Sequence, residues 1–84
     1  MAMESRTVGF RVEVTEQGQG WVSIDLPSQS HALSLWVHLR PLVVELRVTM
    51  RMYRIRADGT MRLVRIVYHE EDSLTGAEER FSPL

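Results

Sequence analysis

From Thr7 to Thr15 the chain alternates: Val8, Phe10, Val12 and Val14 fall on one side, Thr7, Arg11 and Glu13 on the other. A side-chain period of two is what a strand with one buried and one wet face requires, and a helix of period 3.6 cannot present it. Glu16-Gln17-Gly18-Gln19-Gly20 reads as a turn, after which Val22, Ile24 and Leu26 alternate with Trp21, Ser23 and Asp25. Pairing Val14 with Val22 sets Val12 against Ile24, Phe10 against Leu26, and Arg11 against Asp25. Opposite charges meeting across the strands support that hairpin register.

Beyond Pro27-Ser28-Gln29-Ser30, Leu33, Leu35, Val37 and Leu39 alternate with Ser34, Trp36, His38 and Arg40. The parity shifts at Pro41 and continues through Leu42, Val44, Leu46, Val48, Met50 and Met52, as a bulge or corner at the proline would produce. The competing reading is a helix over 30–40 ended by Pro41, because most of that segment is apolar. Arg56-Ala57-Asp58-Gly59-Thr60 is the clearest turn. A three-residue loop with a left-handed Gly59 pairs Arg56 with Thr60. That register sets Met52 against Val64, Met50 against Ile66 and Val48 against Tyr68. Its other face pairs Tyr53 with Leu63, Arg51 with Arg65, Thr49 with Val67, and Arg47 with His69. The expected fold is therefore all-β, a small antiparallel five-stranded sandwich or barrel with strands near 7–15, 21–26, 32–40, 42–56 and 60–69. The alternative is α+β, ββαββ with a helix at 30–40.

At 84 residues the chain reads as a single domain, 1–84, which hides only roughly 60 to 65% of its unfolded surface, too little for a deep enclosed cleft. Residues 1–5 and 73–84 read as loosely held ends, with a turn of helix after Ser73 as an option. No Cys, Lys or Asn occurs. Thiolate metal sites, disulfides and cysteine nucleophiles are excluded, as are the phosphate-loop lysine, Schiff-base chemistry and N-glycosylation. The joint loss of A-rich codons points to GC-rich coding DNA and a bacterial, phage or viral source. No apolar run approaches the ~20 residues that span a bilayer, and residues 1–6 lack the apolar core of a signal peptide, so the expectation is a cytoplasmic protein without a membrane partner.

The net charge of -1 conceals a split. Residues 47–65 carry Arg47, Arg51, Arg54, Arg56, Arg62 and Arg65 against Asp58 alone, whereas residues 66–84 carry five acids against Arg80. The acidic tail can fold back on the basic hairpin, or the arginines can hold phosphate, nucleic acid or an acidic protein. Both tryptophans fall where alternation places polar residues. Trp21, Trp36, Arg40 and Tyr53 together have the composition of a protein–protein hot spot, or else of a second packed layer. His31, His38 and His69 lack partners at ligand spacing, so no metal is expected. No nucleophile elbow, dinucleotide fingerprint or cooperating carboxylate pair occurs, and neither an enzyme nor a cofactor is expected. These features read as a non-catalytic binding or accessory protein, homodimeric, acting through a protein surface on an unidentified partner, an inhibitor or regulatory subunit being one form. Nucleic-acid or phosphate binding through the Arg hairpin is the alternative. A carrier of apolar ligands, with Met50 and Met52 lining a barrel, ranks third.

Overall fold

The computed structural model describes residues 6–16, 19–68 and 78–81. In order along the chain it contains β1 (Thr7–Glu16), β2 (Gln19–Leu26), α1 (Gln29–Leu46), β3 (Thr49–Arg56), β4 (Met61–Tyr68) and a short β5 (Glu78–Phe81). The strands form one antiparallel sheet in the order β2-β1-β3-β4-β5, with α1 lying on one face. The sheet is open, so the architecture is neither sandwich nor barrel. It is the ββαββ alternative, with β5 pairing along the outer side of β4.

The first hairpin has the register that its alternation dictates. Phe10 faces Leu26, Arg11 faces Asp25, Val12 faces Ile24 and Val14 faces Val22. Below that point the register slips, because Thr15 pairs with Gly20. Trp21 is thus the extra residue of a β-bulge, a device that re-aims a side chain.

The expected strands 32–40 and the first part of 42–56 are instead a single helix. Ser28, in an extended conformation, caps it by accepting a hydrogen bond on its hydroxyl from the His31 N–H, filling one of the donors that a helix start leaves open. Ala32, Trp36 and Val43 recur on one face of α1 and are buried against the sheet. Leu33, Leu35, Leu39 and Val44 pack half-buried around them. Nor does Pro41 end the helix, which runs five residues further, to Leu46. The proline ring removes its own N–H bond and crowds the Val37 carbonyl, but Pro41 lies on the solvent side, where water can satisfy that carbonyl. What ends α1 is Arg47. It turns left-handed at φ 59°, donating its N–H to the carbonyls of Val43 and Val44, while the Val48 N–H bonds Val43. This is a Schellman-type reversal on a residue other than glycine.

The tip of the second hairpin is the expected three-residue loop. Gly59 lies at φ 87°, the Arg56 N–H reaches the Thr60 carbonyl at 2.9 Å, and Tyr53 faces Leu63. Beyond it the expected register fails by one residue. A bulge at Val64 sets Met52 against Arg65, Arg51 against Ile66 and Met50 against Val67. The bulge lets Val64 and Val67, three apart, both reach the core, at 2% and 0% exposure. In strict alternation they would point to opposite faces. Arg51 and Arg65 are therefore not cross-strand neighbours. The directly opposed arginines are Arg54 and Arg62. The expected pairing of Arg47 with His69 also fails, since Arg47 closes the helix; His69 lies outside the described residues, as do the ends 1–5 and the possible helical turn after Ser73 up to residue 77.

Met50 and Met52, both 0% exposed, close the core with Phe10, Val12, Val14 and Trp36 between helix and sheet. They fill that space with their own side chains. The barrel that would make them line a ligand chamber is not formed by the described residues.

Candidate functional site

One sheet face is covered by α1, and alternation assigns the other its own set of side chains. On that open face Asp25, Arg11, Tyr53 and Leu63 form one row across β2, β1, β3 and β4, and Ser23, Glu13, Arg51 and Ile66 form the next. Met61 joins them opposite Ile55. Trp21, set free by its bulge, closes the β2 side.

The polar members of this face are tied to one another. The Arg11 guanidinium holds the Asp25 carboxylate with a fork of two bonds, Nε to Oδ1 at 2.6 Å and Nη2 to Oδ2 at 3.1 Å. That hydrogen-bonded fork keeps the Asp25 carboxyl below its ordinary range. Its charge-paired form is favoured at neutral pH and is lost on acidification below the carboxylate range. Both side chains are solvent-exposed, so the pair sets strand register more than it stabilises the fold. Arg51 donates from Nη1 to the Thr15 hydroxyl at 2.9 Å, and the Tyr53 hydroxyl donates weakly to Glu13 Oε1 at 3.4 Å.

Tyr53 is half-buried, and its phenol is shifted upward, first by desolvation and then by the Glu13 carboxylate, with Arg51 opposing. A raised folded-state pKa means that the stabilisation is complete below the pKa of the unfolded chain, about 10, and is lost as pH climbs through the folded value. Absorbance titration near 295 nm should show a phenol ionising later than free tyrosine, and Tyr53→Phe should delete that late step. Loss of an ordinary step instead would show that Tyr53 lies in water.

Trp21 is 50% exposed. Its ring, with Glu13, Thr15, Gly20, Val22 and Ser23, lines an open hollow of about 240 Å³. Met61 and Leu63 add exposures of 45% and 38% on the same face. Large apolar groups interleaved with a hydrogen-bonded polar grid are the make-up of a protein contact surface.

The sequence-derived candidates scatter. Trp21 and Tyr53 lie on the open face together. Trp36 is 1% exposed and belongs to the core, with the Arg65 guanidinium 5.5 Å over its ring, so it is withdrawn from the interface set. It is buried because the segment is helical, and alternation is the wrong guide to which side of a helix faces inward. Arg40 is exposed on α1, away from the open face.

The arginines of 47–65 do not make one patch. Arg47 caps the helix, Arg51 lies on the open face, and Arg56 closes the hairpin turn through its backbone. Arg54 and Arg62 share the helix-side face with Arg65, as their opposition to Phe10 and Met52 requires. Leu63, expected opposite Tyr53 on this face, and Met61, which the same tip register places beside it, belong to the surface although neither is in the expected interface set. Among the described residues no three of His, Cys, Asp or Glu gather at a metal-binding distance, and none of their helices is long and apolar enough to cross a membrane. No protein-family model, curated protein or solved structure matches the chain.

Proposed function

We propose that this chain is a non-catalytic binding protein that docks a protein partner across the open face of its sheet. The observation that carries the reading is the exposure of Trp21, Met61 and Leu63 on a sheet face that no helix covers among the described residues. A sheet face meant for water alone would be polar at those positions. Trp21 supplies the anchor type that dominates contact energy, and the Arg11–Asp25 fork supplies a polar rim.

The experiment is comparative capture from the source cell by the immobilised full chain, alongside Trp21→Asp and Leu63→Ser, with circular dichroism verifying each fold. A specific partner should be retained by the wild type and fall about tenfold or more with either variant, since one lost hot-spot contact is worth about 1.4 kcal/mol or more. The partner is then purified and its binding to the same three proteins measured directly. A captured set that is identical for all three folded proteins overturns the reading.

The second reading, phosphate or nucleic-acid binding, is favoured by the direct opposition of Arg54 and Arg62 on the helix side. An anion on that side would meet two guanidiniums at once. Labelled single-stranded RNA should bind at low salt and dissociate steeply as salt rises. Arg54→Glu with Arg62→Glu should abolish binding. An absence of binding at low salt removes this reading.

A further inference from the structure

At one border of the sheet, β2 has no neighbour on its outer side among the described residues. A free strand of eight residues presents a row of unused backbone donors and acceptors, which proteins blunt with lysine, proline or an inward-pointing charge. From Gln19 to Leu26 none of these occurs; the bulge at Trp21, another such device, sits at the Gln19 end and leaves residues 22–26 in regular pairing with β1. The side chains that β2 turns toward the helix layer, Val22, Ile24 and Leu26, stay partly exposed, Val22 at 42%.

The helix repeats the pattern. Leu35, Leu39, Leu42 and Leu46 follow one another at spacings of four, three and four, which aligns them along one flank of α1. Leu42 and Leu46 are 54% and 55% exposed. β2 and β3 both run antiparallel to β1 and so parallel to each other, with α1 as their crossover. Such crossovers are right-handed in about 98% of cases, and with that hand the leucine flank overhangs β2 rather than β4.

We infer that β2 pairs antiparallel with β2 of a second copy of this chain, extending the sheet across a two-fold axis with both helices on one side. This interface uses the outer edge and the helix side of β2; it borders Trp21 on the open face but does not rest on the reading proposed for that face.

Charge selects the occupant. The only ionisable side chain of β2 is Asp25, already neutralised by Arg11, and the leucine flank carries none. A two-fold interface places a patch against itself, so a patch without net charge suits its own copy, whereas a charged one repels it. With the axis at Ser23, Val22 meets Ile24 of the second copy and the two Asp25 carboxylates stay apart. α1 lies chiefly over β1, and across the joined edges the two β1 strands stand three strand spacings apart, about 14 Å. That exceeds the roughly 8 to 10 Å of directly packed helices, so the two leucine flanks would face each other across a groove floored by the joined β2 strands.

Light scattering coupled to size exclusion tests this on the full chain. The wild type at high micromolar concentration should show twice the 9.7 kDa chain mass, and its β2 amides should exchange more slowly as concentration rises. Leu42→Lys, at a position already half in water, should keep the monomer fold while raising the dissociation constant about tenfold or more. Val22→Lys should do the same from the strand side. Leu63→Ser, on β4, should leave the dimer intact while losing the open-face partner, and Leu42→Lys should show the reverse. A wild type that stays monomeric at every concentration, or a dimer indifferent to both lysine variants, overturns the inference.

Discussion

Truncating Trp36 to alanine is expected to cost about 3 to 5 kcal/mol of folding stability, as deletion of a buried tryptophan does. Trp36 is the largest fully buried side chain and the centre of the helix face that meets the sheet. The void would open among Met50, Met52 and Val12, whose backbones are held by strand pairing and cannot collapse into it. The ring also carries the Arg65 guanidinium at 5.5 Å, an attraction of about 0.5 to 2 kcal/mol that the variant forfeits. A domain of this size holds on the order of 4 to 13 kcal/mol in total, so the loss removes a large share of that margin and a strongly lowered urea midpoint is the expected result. Trp21→Ala, by contrast, removes a half-exposed ring and should stay within about 0.5 kcal/mol of wild type. Urea denaturation followed by circular dichroism compares the two. Equal midpoints would contradict the assignment of Trp36 to the core and Trp21 to the surface.

Pro41→Ala should act in the opposite direction and raise stability by about 1 to 3 kcal/mol. A proline inside a helix costs about 3 kcal/mol relative to alanine, through a lost N–H bond and a clash with the carbonyl four residues earlier, here that of Val37. Because Pro41 is exposed, the alanine leaves no cavity and disturbs no core contact. Part of the gain is forfeited where the packing of α1 on the sheet is already adapted to the proline, hence the lower bound. Each kcal/mol should raise the melting temperature by about 4 to 8 °C in a chain of this length. An unchanged or lowered Tm would mean that the proline is required for α1 to cover the sheet.

The parts of the fold legible in advance are those fixed by contacts between near neighbours. The β1–β2 register follows from alternation together with the Arg11–Asp25 pair, and the second hairpin's tip follows from a glycine able to turn left-handed at position 59. Within the open face, Trp21 and Tyr53 were legible for the same reason. Residues 29–46 were not, because a segment apolar on nearly every side offers both a period of two and a period of 3.6. Each period has its own inward face, and the choice between them decided whether Trp36 was a docking group or the keystone of the core.

What the sequence by itself determined is local: four strand-forming stretches, two turns, a uniform basic chemistry of arginine alone, and the absence of thiol and lysine chemistry. Tertiary structure decided the rest. Packing α1 against one face made the other face open, since a single 18-residue helix can cover only one side of the sheet. The need to bury both Val64 and Val67 forced the bulge that separates Arg51 from Arg65. Arginines adjacent in sequence were thereby divided between two faces and a helix cap. That division depends on which residues the core demands, and pairing between neighbours does not specify it.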